Sequence, residues 1–413
     1  MNVLHIVSTL SGGAGAASFK IMQSLEKIEH TQHTIIYGHG SAPHKNAYKI
    51  APSRKSPGAQ ISRLIYSLAK KGREQKFETF TPTKINRRSD GIEKQIHISD
   101  LIHLHWLGDW HFDLKKLLDQ IPKSKPVVAT MHDMNFITGG CHYPGGCRHY
   151  VESCQRCPQL PGLFGGYICK QSFKHKKRGY SSHKVALVPA SKWLEDETRA
   201  SFLGQCATRI QRIGYPFPDL KDPILPEIAE QRLQLQPTTK KRVLLVAQNL
   251  SNPRKGAALL LDALTQDLLP NCSILTIGDK LDVAHRDLQQ LGFIREPELV
   301  RCAYACADVF CLPSLEENLA QTGIESLSEG TPVVCFNNTG PSDYVHDYST
   351  GINCIERTPD SLAKAILECL KHTKLSNRPE VRDAYRLQHE NKYAQNIVSK
   401  QYQDLYKFLL EAS

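Results

Sequence analysis

Short runs of apolar and β-branched residues recur along the chain, and stretches with helical spacing separate them. Runs without polar alternation are typical of strands buried on both faces of a parallel sheet. The predicted strands are 3–7, 33–38, 101–106, 127–132, 185–189, 243–248, 273–278, 309–314 and 333–336. The predicted helices between them include 17–28, 257–268, 298–306 and 361–370. This alternation predicts an α/β protein with a doubly wound, Rossmann-like sheet in each half.

The chain has 413 residues, more than one hydrophobic core usually organises, so two domains are expected. We predict an N-terminal domain over 1–215 and a proline-rich linker over 216–240. A second domain follows over 241–385, and a C-terminal helix within 386–413 packs back onto the first domain. Ligands of parallel α/β sheets bind at the carboxyl ends of strands, so site residues should follow strands and face the cleft between the domains.

Composition excludes several classes of protein. With 40% hydrophobic and 23% charged residues, the chain is neither disordered nor fibrous. No apolar stretch is long enough to span a bilayer, and the first residues read as a strand and not as a signal peptide. A cytoplasmic protein is therefore expected, with its thirteen cysteines as reduced thiols or metal ligands.

The formal charge of +11 indicates an anionic partner without naming it. The densest basic run, 170–178, is either a solvated helix face or a contact with an anionic membrane surface. No nucleic-acid-binding motif is recognised, and nucleic-acid binding is the less favoured alternative.

Two loops have the composition of phosphate sites. Gly12 and Gly13 lie between the first strand and a helix, where backbone amides can approach a phosphate, although a tight turn without a ligand fits equally well. Arg254 and Lys255 follow the strand 243–248 and precede a helix. Such cations suit a diphosphate, although an unrelated basic turn would have the same composition.

In the segment 311–336, Glu317 lies in a loop after a strand and Glu325 in the following helix. Glu317 is placed to accept hydrogen bonds from sugar hydroxyls, and Glu325 to reach a ribose diol. Thr322 and Glu325 also fit a capping box, in which Glu325 only satisfies the start of the helix.

The spacing of these glutamates resembles the Glu-x7-Glu motif of family four retaining glycosyltransferases, which have the B-type fold of two Rossmann-like domains. The flanks LPSLEEN and EGTPVV, the segment NLSNPRKGAALLLDAL and the segment VPASKWL are similar to that family as well. The resemblance implies that Glu317 contacts the donor sugar, that Glu325 binds the ribose with Asn318 and Thr322 beside it, and that Arg254 and Lys255 hold the diphosphate.

The resemblance also gives a role to residues of the first half. His132 follows a strand, where the family commonly has a histidine that faces donor and acceptor, although a lone histidine there is more often structural. Its neighbour Asp133 is either an acceptor-side residue or a helix N-cap. His105 and Trp106, at the end of another strand, are expected on the acceptor side.

A cysteine-rich insert at 139–160 resembles transferases of bacterial surface polysaccharides, including the colanic acid type. Its cysteines are either a structural zinc site or buried free thiols. The four predicted ligands are Cys141, Cys147, Cys154 and Cys157.

Catalysis is expected to need no metal cofactor, because the chain has no Asp-x-Asp triplet and the cations can replace the metal at the diphosphate. The sequence thus predicts a retaining, metal-independent glycosyltransferase. It would transfer a sugar from a nucleoside-diphosphate sugar to a glycan or lipid-linked oligosaccharide of a bacterial surface polysaccharide. A sugar-nucleotide epimerase or a non-catalytic scaffold on the same fold is the alternative.

Overall fold

A computed structural model describes residues 1–41, 44–50, 57–74, 79–84, 92–217 and 220–411. The chain divides into a first unit, Met1–Phe217 with Tyr393–Ser413, and a second unit, Pro218–Lys392. Each unit is built around its own parallel sheet with helices on its faces. Among the described residues, no helix combines the length and the apolar character needed to cross a membrane.

The strands follow the apolar runs of the sequence and pair in parallel throughout. In chain order they are β1 (Asn2–Thr9), β2 (Gln32–His39), β3 (Ala47–Lys49), β4 (Leu101–Leu104), β5 (Val127–Met131), β6 (Val185–Pro189), β7 (Arg209–Ile210), β8 (Lys241–Val246), β9 (Cys272–Ile277), β10 (Leu288–Gln290), β11 (Val309–Leu312), β12 (Val333–Phe336) and β13 (Gly351–Cys354). The first sheet has the order β3-β2-β1-β4-β5-β6-β7, and the second β10-β9-β8-β11-β12-β13. The predicted α/β class with two doubly wound domains is confirmed.

The helices connect these strands. They are α1 (Gly12–Leu25), α2 (Pro57–Ala69), α3 (Ile92–Ile98), α4 (Leu114–Gln120), α5 (Gly165–Ser182), α6 (Lys192–Ala200), α7 (Phe202–Gln205), α8 (Pro226–Arg232), α9 (Ala257–Thr265), α10 (Pro297–Cys306), α11 (Gln321–Ser328), α12 (Pro359–Lys371), α13 (Arg378–Gln388) and α14 (Gln395–Glu411). Each predicted helical segment corresponds to one of them, with ends that differ by a few residues.

All nine predicted strands are present, and the four strands that the apolar pattern missed lie at the edges of the sheets. β3, β7 and β10 have only two or three residues and no buried one, and β13 starts with a glycine. An edge strand pairs through its backbone on one side only, so it needs no apolar run to hold its place.

The segment predicted as a linker, 216–240, differs from a simple connection. Residues 220–240 belong to the second unit, where α8 packs against α10, while Pro218 and Asp219 lie outside the described residues. The chain returns to the first unit at Tyr393, and there α14 packs against α1. Residues 386–392, which we grouped with this last helix, belong to the second unit.

Candidate functional site

Two neighbouring loops of the second unit bring together Arg254, Lys255 and Glu317. The loops follow β8 and β11, which pair in parallel and therefore end at the same edge of the sheet. Arg254 and Lys255 lie in a 3-10 turn, Pro253–Lys255, whose start is fixed because the Asn252 side chain accepts a hydrogen bond from the Arg254 amide at 3.0 Å. The Leu315 amide donates to the Arg254 carbonyl at 2.7 Å, which joins the two loops.

Gly256 ends the basic turn and allows this close approach. Its φ is +69°, and a Cβ at this position would stand 1.9 Å from the carbonyl oxygen of Pro313. A residue with a side chain would be both strained and in collision with backbone there. The glycine therefore sets how closely the basic turn packs against the Glu317 loop.

Glu317 accepts hydrogen bonds from both cations through one oxygen, Oε2. Lys255 Nζ lies 2.7 Å away and Arg254 Nη1 3.2 Å away, and Glu317 is 8% exposed. Burial acts to raise the pKa of the Glu317 carboxyl, but the charges and hydrogen bonds of Lys255 and Arg254 outweigh it and lower the pKa from 4.5 to about 2. The carboxylate is thus ionised, and the cluster keeps one net positive charge.

Glu325 lies on α11, half-buried, with Oε2 3.3 Å from the Tyr304 hydroxyl. The capping-box interpretation is wrong, because the N-cap of α11 is Ala320 and the helix starts at Gln321. Thr322 is therefore inside the first turn and cannot act as the cap, and an alanine side chain cannot cap either. Glu325 consequently has no capping role.

The start of α11 is held by Tyr344, whose hydroxyl donates to the Ala320 carbonyl at 3.0 Å and leaves no room for a side chain at Gly323. Asn318, in the loop before the helix, is 2% exposed, and its backbone packs closely against Gly340. Thr322 is half-buried. Glu317, Asn318, Thr322 and Glu325 thus share one loop and the helix that follows it.

In the first unit, His132 follows β5 and is 7% exposed. Its Nδ1 lies 2.9 Å from the Tyr215 hydroxyl, and its Nε2 lies 3.2 Å from Ser18 Oγ and 3.4 Å from Nδ1 of His105. Burial lowers the pKa of His132 to about 4, with Asp133 acting in the opposite direction. His132 is therefore a neutral imidazole near pH 7.

His105 lies inside the first unit and not at a surface that an acceptor could contact, because its side chain is fully buried. It directly follows β4 and belongs to a layer of buried histidines that is completed by His5 on β1, His33 on β2 and His103 on β4. His103 bonds to the hydroxyls of Tyr406, at 2.6 Å, and Thr130, at 2.7 Å, which ties α14 to the sheet. Burial lowers the pKa of each of these four histidines.

Asp133 and Trp106 form one hydrogen-bonded cluster with His142, a residue that the sequence analysis did not single out. The Trp106 indole donates to Asp133 Oδ2 at 2.8 Å, and His142 Nδ1 lies 2.5 Å from the same oxygen. Asp133 Oδ1 accepts from the Asn135 amide at 2.8 Å, but the N-cap of the 3-10 helix Asn135–Ile137 is Met134, so the N-cap alternative for Asp133 is wrong. Burial acts to raise the pKa of Asp133, but His142 and the Asn135 amide outweigh it, so the pKa is lowered.

Gly12 and Gly13 form the exposed start of α1. Gly12 has a φ of +75°, and no atom of the described residues lies within 4 Å of the position a Cβ would take. The first amides of a fourteen-residue helix are thus at the surface, as both the phosphate and the tight-turn interpretations require.

The cysteine insert carries the four predicted zinc ligands, and the zinc site stays a prediction. Among the described residues, the one set of three potential ligands with ligand atoms within 4.8 Å of one another is a different one, His5, His103 and His105. The cysteines predicted as ligands were Cys141, Cys147, Cys154 and Cys157. Cys169 of α5, which the sequence did not single out, hydrogen-bonds to two of them, Cys154 and Cys157, and these bonds raise the pKa of its thiol.

The basic run lies on α5 and has two faces. Lys170, Lys174, Lys177 and Arg178 are exposed, whereas Lys176 is fully buried. Lys176 donates to the carbonyls of Asn135 and Thr138, the latter at 3.0 Å, and burial lowers its pKa to about 8. Lys176 therefore anchors the segment after β5, and only its neighbours are available to a partner.

Residues 240–372 match the family model described as glycosyl transferases group 1. A curated relative, WcaC of Escherichia coli (strain K12), named as a colanic acid biosynthesis glycosyl transferase, is 25% identical over 172 residues, which are 39% of this chain and 40% of the relative. The chain spans about two fifths of the length of the curated relatives it matches.

Solved structures match over the whole chain. Sucrose-phosphate synthase from Thermosynechococcus elongatus has a TM-score of 0.68 at 17% identity, with all of both chains covered. Anabaena HepE, solved with UDP and glucose, has a TM-score of 0.64 at 14% identity, covering 98% of this chain and 99% of HepE.

The chain has the two-domain fold of the B-type glycosyltransferases. The residues that match the model of the group 1 glycosyl transferases, 240–372, contain Arg254, Lys255, Glu317 and Glu325.

Proposed function

We propose that this protein is a retaining glycosyltransferase that moves a sugar from a nucleoside-diphosphate sugar to a glycan or lipid-linked oligosaccharide of a bacterial surface polysaccharide. The observation that carries the proposal is the cluster of Arg254, Lys255 and Glu317 at the carboxyl edge of the sheet in a group 1 domain. The relation to a colanic acid transferase supports the polysaccharide pathway.

The second unit binds the donor. Arg254 and Lys255 neutralise the diphosphate, with the first amides of α11 as further donors, because anions are stabilised at helix N-termini. Glu325 accepts hydrogen bonds from the ribose, beside Asn318 and Thr322. HepE, which shares the fold, was solved with UDP and glucose, which supports a nucleotide ligand for this fold.

The reaction breaks the bond between the anomeric carbon and the diphosphate oxygen, and negative charge develops on the leaving phosphate. Fixed cations stabilise this charge without reorganisation, so Arg254 and Lys255 lower the barrier electrostatically. No metal is required for this step. Glu317 holds both cations by ion pairs and turns its carboxylate toward the donor sugar hydroxyls, so it orients the donor and does not act as the nucleophile of a hydrolase.

His132, with Asp133 and Trp106, serves the reacting sugar and the acceptor in the first unit. Its imidazole is neutral near pH 7, so it adds no charge beside the donor sugar. The exposed face of α5, with Lys170, Lys174, Lys177 and Arg178, would attract an anionic membrane surface that carries a lipid-linked acceptor.

A thermal-shift screen with UDP-, GDP- and ADP-sugars tests the donor class, since a ligand that binds the native state raises the melting temperature. The proposal requires stabilisation by at least one nucleotide sugar. Proton NMR then measures the anomeric configuration of the product formed from the nucleotide sugar that stabilises the protein most. Inversion of this configuration would contradict the retaining assignment. Free epimerised sugar nucleotide formed without acceptor would instead identify an epimerase.

A further inference from the structure

Four imidazoles of the first unit bond to one another in a row that ends at His132. His33 Nδ1 lies 3.0 Å from His5 Nε2, His5 Nδ1 lies 3.0 Å from His105 Nε2, and His105 Nδ1 lies 3.4 Å from His132 Nε2. Each ring thus uses one nitrogen toward each neighbour. A neutral imidazole has one donor and one acceptor nitrogen, so the proton of one ring determines the tautomer of the next.

Ser18 determines the direction of this row. Its hydroxyl donates to the Ala14 carbonyl at 2.7 Å, so its oxygen can only accept from His132 Nε2, 3.2 Å away. His132 must then carry its proton on Nε2. The same Nε2–H group of His132 also donates to Nδ1 of His105. His105 therefore carries its own proton on Nε2, which is directed at Nδ1 of His5.

We propose that Ser18 and His105 are positioning residues that hold His132 in its Nε2–H tautomer, with Nδ1 unprotonated and accepting a hydrogen bond from the Tyr215 hydroxyl. This inference rests on the proposed function, which places His132 at the reacting sugar. The distances around both nitrogens of His132 carry it.

The arrangement fixes the orientation and the tautomer of the His132 ring. With Nε2–H shared between two acceptors and Nδ1 held by Tyr215, the ring can neither rotate nor exchange its proton without breaking bonds inside the unit. A buried histidine with both nitrogens bonded is held in one tautomer, whereas a histidine with free nitrogens would populate both. His132 therefore meets substrate as one neutral species with one orientation.

The same histidines do not suit a metal ion, although His5, His103 and His105 lie close together. Both nitrogens of each ring have hydrogen-bond partners among the described residues: His5 and His105 in the row, and His103 with Tyr406 and Thr130. The rings of His103 and His105 are stacked, with centroids 4.1 Å apart, so their nitrogens do not converge on one point.

The tautomer is measured directly on the full chain labelled with ¹⁵N-histidine, because protonated and unprotonated ring nitrogens give separate NMR signals. His132 is assigned from the signal lost in His132→Gln. The expected result is a protonated Nε2 and an unprotonated Nδ1. A proton on Nδ1 of His132, or equal populations of the two tautomers, would overturn the proposal.

Ser18→Ala removes the acceptor with little change of volume, and His105→Phe removes both nitrogens while keeping a ring. Both variants should show mixed tautomers at His132. With the nucleotide sugar that stabilises the chain best, kcat for nucleotide release should fall about five- to tenfold, and KM should stay within about twofold. Ser18→Thr keeps the hydroxyl and should restore both the tautomer and kcat.

Tyr406→Phe is the matched control, since it removes a hydroxyl from the same buried layer without touching the bonds of His132. If the network had only a structural role, Ser18→Ala, His105→Phe and Tyr406→Phe would lower stability equally and would leave the tautomer of His132 unchanged. That result would refute a positioning role. If no nucleotide sugar binds, the proposed function fails, while the NMR measurement still decides the tautomer.

Discussion

Nζ of Lys255 lies 2.7 Å from Oε2 of Glu317, and that oxygen also accepts from Arg254 at 3.2 Å. One buried carboxylate therefore fixes two cations from the neighbouring loop. Because the ion pair is mostly shielded from water, removing one partner leaves charges that solvent cannot fully compensate. The positions of the two cations and the stability of the second unit thus depend on the same residue.

Glu317→Gln keeps the shape of the side chain and removes its charge. We expect a loss of about 3 kcal/mol in the free energy of unfolding, because two cations are left without their counter-ion. For a unit of this size the melting temperature should fall by roughly 6 to 12 °C. Calorimetry at pH 7 measures both. Glu298→Gln, which breaks exposed ion pairs with Lys221 and Arg301, should cost less than about 1 kcal/mol.

The stability difference between wild type and Glu317→Gln should also depend on pH. The pKa of Glu317 is about 2 in the folded chain and 4.5 ordinarily, so the unfolded chain takes up the proton first as the pH falls. The contribution of ionised Glu317 to the free energy of unfolding is therefore complete above pH 4.5 and disappears toward pH 2. Urea unfolding of both proteins from pH 6 to pH 3 measures it, and a constant difference over this range would contradict the ion-pair assignment.

Gly256→Ala and Gly292→Ala form a matched pair, since both glycines have a φ near +70°. At Gly292 no atom of the described residues lies within 4 Å of the new Cβ, and we expect only the strain of the left-handed backbone, about 1 kcal/mol. At Gly256 the carbonyl of Pro313 must also move, so the loss should exceed that of the control by about 2 kcal/mol. Urea unfolding compares them, and equal losses would show that the contact is unimportant.

Gly256→Ala should also weaken binding of the nucleotide sugar, because the basic turn directly precedes this glycine. We expect the dissociation constant of the best nucleotide sugar to rise about tenfold, with Gly292→Ala close to wild type, as measured by isothermal titration calorimetry. Unchanged affinity in Gly256→Ala would argue against diphosphate binding by Arg254 and Lys255.

Glu325→Ala should abolish most of the thermal shift caused by the nucleotide sugar, because a carboxylate that accepts hydrogen bonds from ribose hydroxyls is lost. The Tyr304 hydroxyl, buried and 3.3 Å from Glu325, loses its partner, so the ligand-free melting temperature also drops. The quantity to compare is the change in melting temperature that the nucleotide sugar causes, and not the melting temperature itself. Glu356→Ala, at an exposed position of the same unit, is the control, and a full shift in Glu325→Ala would disprove ribose binding.

The histidine layer should make the first unit sensitive to acid. The pKa values of His33 and His132 are about 4 in the folded chain against 6.5 ordinarily, so the unfolded state binds protons first as the pH falls below 6.5. Burial causes both shifts; Asp133 opposes it at His132, and the Met1 amino group adds to it at His33. Stability should therefore decline between pH 6.5 and 4.

Hydrogen exchange of β1 and β4 amides at pH 7.5 and pH 5 follows this decline in the first unit. His33→Phe should reduce the pH dependence, because one buried group no longer titrates. His97→Phe, at an exposed position on α3, should leave it unchanged. Equal pH dependence in both variants would show that His33 does not contribute.

Much of the fold could be predicted because inner strands are buried on both faces and must be apolar over their whole length. The edge strands β3, β7, β10 and β13 escaped prediction since their position depends on backbone pairing with a neighbour. The capping interpretation of Glu325 failed for a similar reason. Thr322 and Glu325 have the right spacing, but Tyr344 and Gly323 fix the start of α11 at another residue.

The sequence by itself determined the two parallel sheets, the helices between them, and the loops that carry Arg254, Lys255, Glu317 and His132, because these follow from local patterns and from a family motif. Only the tertiary structure decided which side chains meet. Glu317 pairs with cations of another loop, and Asp133 contacts both Trp106 and His142. Lys176 is buried, although its neighbours in the basic run are exposed. Such contacts depend on how strands and helices pack, and a linear pattern does not contain that information.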